Sequence, residues 1–153
     1  MNEKNQNKGV EMVDLHPQLK QDSLLLGRFP LCLLLLIKDA NYPWFVLVPS
    51  RDNITEIYQL SDQDQAQLTR ESSCLSQALA AEFNADKMNI AAIGNMVPQL
   101  HIHHIVRYKN DICWPAPVWG KHAAKNYSEE QLKSIFLKIK TLELPDFENL
   151  IDN

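Results

Sequence analysis

Two short, unbroken apolar runs constrain this chain more than anything else in it. Leu31–Lys38 (LCLLLLIK) and Trp44–Pro49 (WFVLVP) are separated only by the turn-rich connection DANYP. An apolar run with no polar alternation, bounded by turn residues, suits a strand covered on both faces. The pair therefore reads as a buried antiparallel hairpin. The longest apolar stretch, Leu31 to Ile37, is too short to span a bilayer.

The rest of the chain supplies layers for that hairpin. Ser61 opens the first clear helix, where Ser-Asp-Gln-Asp offers a side-chain cap with an acid three residues on. Leu68, Leu75, Leu79 and Phe83 follow at helical spacing, and the helix should end near Asn84. Lys87–Ile93 and Gln99–Tyr108 read as two more strands, joined through Gly94, Asn95 and Pro98. The segment CWPAPVWG, Cys113 to Gly120, reads as an ordered but irregular loop anchored by Trp114 and Trp119. Ser128 begins the last helix. Ser128 and Gln131 form a capping-box pair, and Tyr127 and Leu132 a hydrophobic staple. Leu132, Ile135, Phe136, Ile139 and Leu142 make its buried stripe, and Pro145 stops it. Leu15 to Pro30 is a stretch punctuated by Pro, Asp and Gly.

The order of strands, helix, strands, helix lacks a regular β-α-β alternation. That predicts the α+β class: an antiparallel sheet of about five strands with two main helices. The expected organisation is a flexible tail over residues 1–14, most solvated up to about residue 9, a core over 15–110, and a loop and helix over 111–153 on the same domain. There is no internal repeat.

At 153 residues the chain is one domain's worth. Its 15 basic and 19 acidic residues give a net charge of -4. With no basic surplus, a nucleic acid polymer is excluded as the main partner. Cys32, Cys74 and Cys113 are odd in number, widely spaced and form no C-x-x-C, which fits a reducing cytoplasm. The polar stretch Met1–Val10 lacks the apolar core of a signal peptide. A cytoplasmic protein without a membrane partner is expected.

The five histidines are His16, His101, His103, His104 and His122. On a strand, Gln99, His101 and His103 share one face, about 6.6 Å from one to the next. Leu100, Ile102 and His104 point the other way, toward the helices. Three readings follow. The row is the solvent face of a half-exposed sheet, or His101 and His103 chelate zinc, for which a third ligand must come from elsewhere. In the third, one imidazole is a nucleophile toward phosphorus, largely neutral at pH 7 with a reference pKa of about 6.5. The second then donates to a phosphate oxygen or leaving group. A protonated second ring would keep the first neutral by like-charge repulsion.

The run from Gly94 to Arg107 (GNMVPQLHIHHIVR) resembles the signature strand of the histidine triad (HIT) superfamily, a glycine turn followed by His-φ-His-φ-His-φ-φ with φ apolar. The likeness extends upstream to Asp39, to Phe45–Pro49 and to the helix from Ser61. With the Trp114–Gly120 segment, the chain looks closest to a bacterial HIT-like hydrolase branch resembling diadenosine tetraphosphate hydrolases. The resemblance implies a HIT-like fold and a homodimer. His101 would attack the α-phosphate of a nucleotide and form a covalent nucleotidyl intermediate, and His103 would contact the phosphate and assist the leaving group. Gln99 stands in place of the first histidine, Asn95 lies in the phosphate-contacting turn, and Asp39 is near the ribose-binding acid. No cofactor and no resident metal is implied.

This chain departs from the pattern at Gln99, which cannot titrate, at Phe45, matched to an additional histidine of many relatives, at Met96, often Ser or Thr, and at His104, usually apolar. The expected function is hydrolysis of a phosphoanhydride or phosphoramidate in a small purine nucleotide. The alternatives are a non-catalytic purine-nucleotide-binding protein and a zinc-binding protein using His101 and His103. Arg107 is read either as a phosphate partner or as a surface ion-pair residue, and Asp39 either as a ribose ligand or as a turn residue. Trp114 and Trp119 are read as base-pocket walls, contacts to a second subunit or loop anchors, His104 as a satisfied interior or interface histidine, and Cys113 as no catalytic thiol.

Overall fold

The computed structural model describes residues 12–151. The expected N-terminal tail lies outside the described residues as far as residue 11. The hairpin is present as β2 (Cys32–Ile37) and β3 (Trp44–Pro49), paired antiparallel from Cys32 opposite Pro49 to Leu36 opposite Phe45. Leu34, Leu36, Phe45 and Leu47 enter one apolar cluster, and Leu33, Leu35, Val46 and Val48 enter another on the opposite face. Double-sided burial explains the missing polar alternation. Each such side chain contributes about 1.5–3 kcal/mol, enough to fix this pair at the centre of the domain.

Two long helices cover the first face. In α2 (Asp62–Glu82) the Ser61 hydroxyl accepts from the backbone N–H of Asp64, and the helix gives way at Phe83 and Asn84, whose φ is 49°. In α3 (Glu129–Thr141) both halves of the Ser128–Gln131 capping box form. Leu68, Leu75, Leu79, Ile135 and Ile139 are their buried anchors. Among the described residues the other face carries a short helix, α1 (Pro17–Asp22), and irregular chain.

Among the described residues the fold is antiparallel α+β as expected, with six strands rather than about five and the two main helices accompanied by the short α1. Its order is β4-β5-β3-β2-β1-β6, where β4 is Lys87–Ala91 and β5 is Ile102–Arg107. The stretch after Leu15 holds both α1 and β1 (Ser23–Arg28). Its start is capped by the His16 ring, with Pro17 at the head of the helix, a pairing that punctuation alone conceals. The sixth strand, β6 (Glu148–Asn149), lies beyond Pro145 and pairs with β1. Gly27 makes that possible: a Cβ there would sit 2.3 Å from Phe147 Cζ and 2.4 Å from the Glu148 carbonyl oxygen. No helix among the described residues is long and apolar enough to cross a membrane.

Candidate active site

β5 lies between β3 and β4, with Val46 opposite His103 and Phe45 opposite His104. The strand begins at Ile102, three residues later than the sequence suggests. Pro98 has no N–H to give a ladder, and the Leu100 N–H turns instead to the Ile54 carbonyl at 2.9 Å. Upstream, Gly94 has a φ of +66°, and a Cβ there would lie 3.2 Å from the Val97 carbonyl oxygen and 3.9 Å from His101 Cε1. Glycine at this turn thus provides the left-handed backbone and the close approach to the Val97 carbonyl.

His101 and His103 sit together, ring centroids 4.8 Å apart and nearly perpendicular. Both are largely buried. His101 Nδ1 lies 2.7 Å from the Gln99 carbonyl oxygen. A carbonyl only accepts, so Nδ1 carries a hydrogen, and in the neutral ring the lone pair sits on Nε2. In His103 the arrangement is reversed. Trp44 Nε1–H donates to Nδ1 at 3.0 Å, which leaves the hydrogen on Nε2. Among the described residues neither Nε2 has a protein partner and no buried side-chain N or O lacks one, so both reach the surface. The site therefore pairs a basic nitrogen with a neutral N–H donor.

Burial, reinforced by His101 and His104, lowers the pKa of His103 to about 3. The charged helper that the spacing allowed is thus a neutral one. His104 faces the helices, as the alternation predicts. Its Nε2 lies 2.7 Å from Ser72 Oγ of α2 and its Nδ1 3.1 Å from the Ile102 carbonyl oxygen. Burial lowers its pKa to about 4, against the opposing effect of the Ile102 bond.

The aromatic residue that β3 brings to the motif is Trp44, not Phe45. Phe45 is fully buried on the helix side; one step along a strand reverses the face. Trp119 closes on the same place from the segment after β5, with centroids 5.3 Å from His103 and 5.7 Å from Trp44. Sequence reading left Trp119 open and missed Trp44; its parity with Val46 and Val48, on the face away from the long helices, was the available signal. Beside them lies a cleft of about 480 Å³ lined by Asp39, Lys38, Trp44, Trp119 and His122 among others.

The other expected residues divide. Asp39 is buried, and its Oδ1 accepts from the N–H groups of Asn41 and Lys125, so it shapes a turn and also lines the cleft. Asn95 is exposed in the glycine turn. The Gln99 amide reaches the N-terminal segment: Oε1 accepts from the His16 N–H at 2.8 Å and Nε2 donates to the Asp14 carbonyl at 3.1 Å. Arg107 is neither at the surface nor beside the imidazoles' open nitrogens. Its side chain is 1% exposed and ion-paired with Asp111. Asn89 takes a further bond, and the Tyr42 and Trp114 rings flank the guanidinium. Among the described residues no group of three His, Cys, Asp or Glu could hold a metal ion, so His101 and His103 gain no third ligand.

Known proteins resemble the chain in sequence and in fold. The HIT domain family model matches residues 18–110. A histidine triad protein from Marinobacter aquaeolei VT8 is similar at 49% identity and a TM-score of 0.82, over 85% of this chain and 95% of that one. One from Bradyrhizobium japonicum is similar at 43% identity and a TM-score of 0.82, over 85% and 97%. A third, from Sinorhizobium meliloti 1021, is similar at 38% identity and a TM-score of 0.83, over 86% and 98%. No curated protein matches the chain. By the matched model, the identities and the fold, the chain belongs to the histidine triad family.

Proposed function

We propose that the chain is a nucleotide hydrolase of the histidine triad type, attacking the α-phosphate of a dinucleoside polyphosphate or related purine nucleotide. One observation carries this reading: the Gln99 carbonyl holds the hydrogen of His101 on Nδ1, so that Nε2 presents its lone pair beside the N–H donor of His103. Nε2 of His101 attacks phosphorus, and the bond to the leaving group breaks with the electron pair departing on the leaving atom. The resulting N-phosphorylated imidazolium keeps its Nδ1–H on the Gln99 carbonyl, which offsets the positive charge. His103 Nε2–H binds a phosphoryl oxygen. Water then attacks phosphorus, the P–N bond breaks with its pair returning to Nε2, and the water's proton goes to solvent.

The cleft beside Trp44 and Trp119 suits a nucleoside, with aromatic walls for the base and Asp39 near the ribose. The partner is thus a small nucleotide, and a homodimer in the cytoplasm completes the proposal, tested by a solution mass of two chains. The decisive experiment incubates the protein with a nucleotide labelled at the α-phosphate. Acid-labile label on the wild type, absent from His101→Ala and retained in His104→Ala on the opposite face of the strand, is the expected result.

Tight nucleotide binding with neither label nor product would overturn it in favour of a non-catalytic binding protein. The engagement of the Gln99 amide with His16 and Asp14 favours that second reading, since it draws the residue in the first histidine's place away from any phosphate.

A further inference from the structure

We infer that Trp44 is a positioning residue that locks His103 as a hydrogen-bond donor, bars it from giving up a proton, and so selects leaving groups that depart unprotonated. The leaving-group half rests on the hydrolase reading; the lock does not.

An indole nitrogen can only donate. With Trp44 Nε1 at 3.0 Å from His103 Nδ1, that ring nitrogen must accept, and the single hydrogen of the neutral ring sits on Nε2. A second proton could enter only at Nδ1. There it would face the indole hydrogen, donor against donor, and Trp44 would lose its acceptor. The indole cannot easily turn away, because Trp119 lies against it at 5.7 Å and Tyr42 at 6.4 Å, both edge-on. The titratable groups that act on His103 are His101 and His104, and both oppose protonation. Trp44 from β3 and Trp119 from the segment after β5 bring no charge. Burial works in the same direction.

A ring so held donates a hydrogen bond to a phosphoryl oxygen but cannot protonate a departing atom. When a P–O bond to phosphate or polyphosphate breaks, the electron pair leaves on an oxygen that is stable as an anion. When a bond to an amine or an alcohol breaks, the departing nitrogen or oxygen needs a proton at that moment. Phosphoanhydrides are therefore favoured over phosphoramidates and alkyl esters.

The test has two arms. Long-range proton–nitrogen correlation spectra of ¹⁵N-histidine-labelled protein, from about pH 8 down to about pH 4, report the tautomer of His103. The wild type should show a pyridine-type Nδ1 and a protonated Nε2 throughout. Trp44→Phe should show mixed tautomers and titrate nearer the ordinary imidazole value. A protonated Nδ1 in the wild type overturns the lock, even if Trp44→Phe fails to fold. In the second arm, adenosine 5′-phosphate carries leaving groups running from phosphate through aryl oxides to an amine. The wild type should turn over the anhydride fastest, and Trp44→Phe should narrow the anhydride-to-amidate ratio of kcat by about tenfold. An unchanged ratio overturns the leaving-group half. Turnover of none of these substrates overturns that half together with the hydrolase reading, and the spectra alone then decide the lock.

Discussion

The guanidinium of Arg107 holds the carboxylate of Asp111 at two points, Nε to Oδ2 at 2.7 Å and Nη2 to Oδ1 at 3.1 Å, with both side chains almost fully buried. The carboxylate also accepts from the backbone N–H groups of Tyr108 and Cys113. This knot turns the chain at the end of β5 and starts the segment that carries Trp119 back to His103. Burial would raise the Asp111 carboxyl, but the Arg107 bond and those backbone donors hold it below its usual value, and the same bond raises Arg107.

Removing Asp111 should therefore cost more than a surface ion pair does. Asp111→Ala leaves a buried cation unpaired and is expected to destabilise the fold by about 3–5 kcal/mol. Asp111→Asn keeps an acceptor for the backbone donors and should cost less. Urea midpoints check both.

Acid should weaken the fold before the carboxylates titrate. His103 is lowered to about 3 and His104 to about 4, in both cases chiefly by burial. Between those values and the unfolded value of about 6.5, the unfolded chain binds protons that the folded chain does not. Stability is then complete above about pH 6.5 and falls on acidification by about 1.4 kcal/mol per pH unit for each ring. Urea unfolding at about pH 7, 6 and 5 measures the slope, and His103→Asn should halve it. Asp111 adds its own loss only lower, as pH drops below about 3.9 and through its depressed folded value.

Gln99 should prove a clamp on the N-terminal segment. Gln99→Ala removes the bonds to His16 and Asp14, each contributing about 0.5–1.5 kcal/mol. The bond from His101 to the backbone carbonyl of residue 99 survives the substitution. Hydrogen exchange should quicken across residues 12–22, with the global unfolding midpoint little changed.

Gly27→Val should detach the C-terminal strand. The added side chain meets Phe147 and the Glu148 carbonyl at distances no real Cβ adopts. Overpacking of this kind costs about 1–3 kcal/mol. β6 should separate from β1, and faster proteolysis after Pro145 reads out that separation.

The elements that sequence exposed are those whose signals are local. The hairpin follows from two continuous apolar runs, α2 from the Ser61 cap, and α3 from Ser128 and Gln131. His101, His103 and His104 could be assigned to faces from alternation, and His104 does meet Ser72 on the helix side. Where a cue was weak, elements were missed. α1 and β1 hide in a stretch broken by Pro and Gly, and β6 is two residues long.

The α+β layering, the central hairpin and the two neighbouring imidazoles are legible in the residue order, because apolar period, caps and the alternation of a strand act over a few residues. What those imidazoles are depends on how the chain packs. Strand register sets Trp44, rather than Phe45, against His103, and the returning segment adds Trp119. A backbone carbonyl fixes one tautomer, and an indole N–H fixes the other. Burial keeps His103 neutral and takes Arg107 away from the surface. Those effects depend on groups far apart in sequence and on exclusion of water, which no local pattern records.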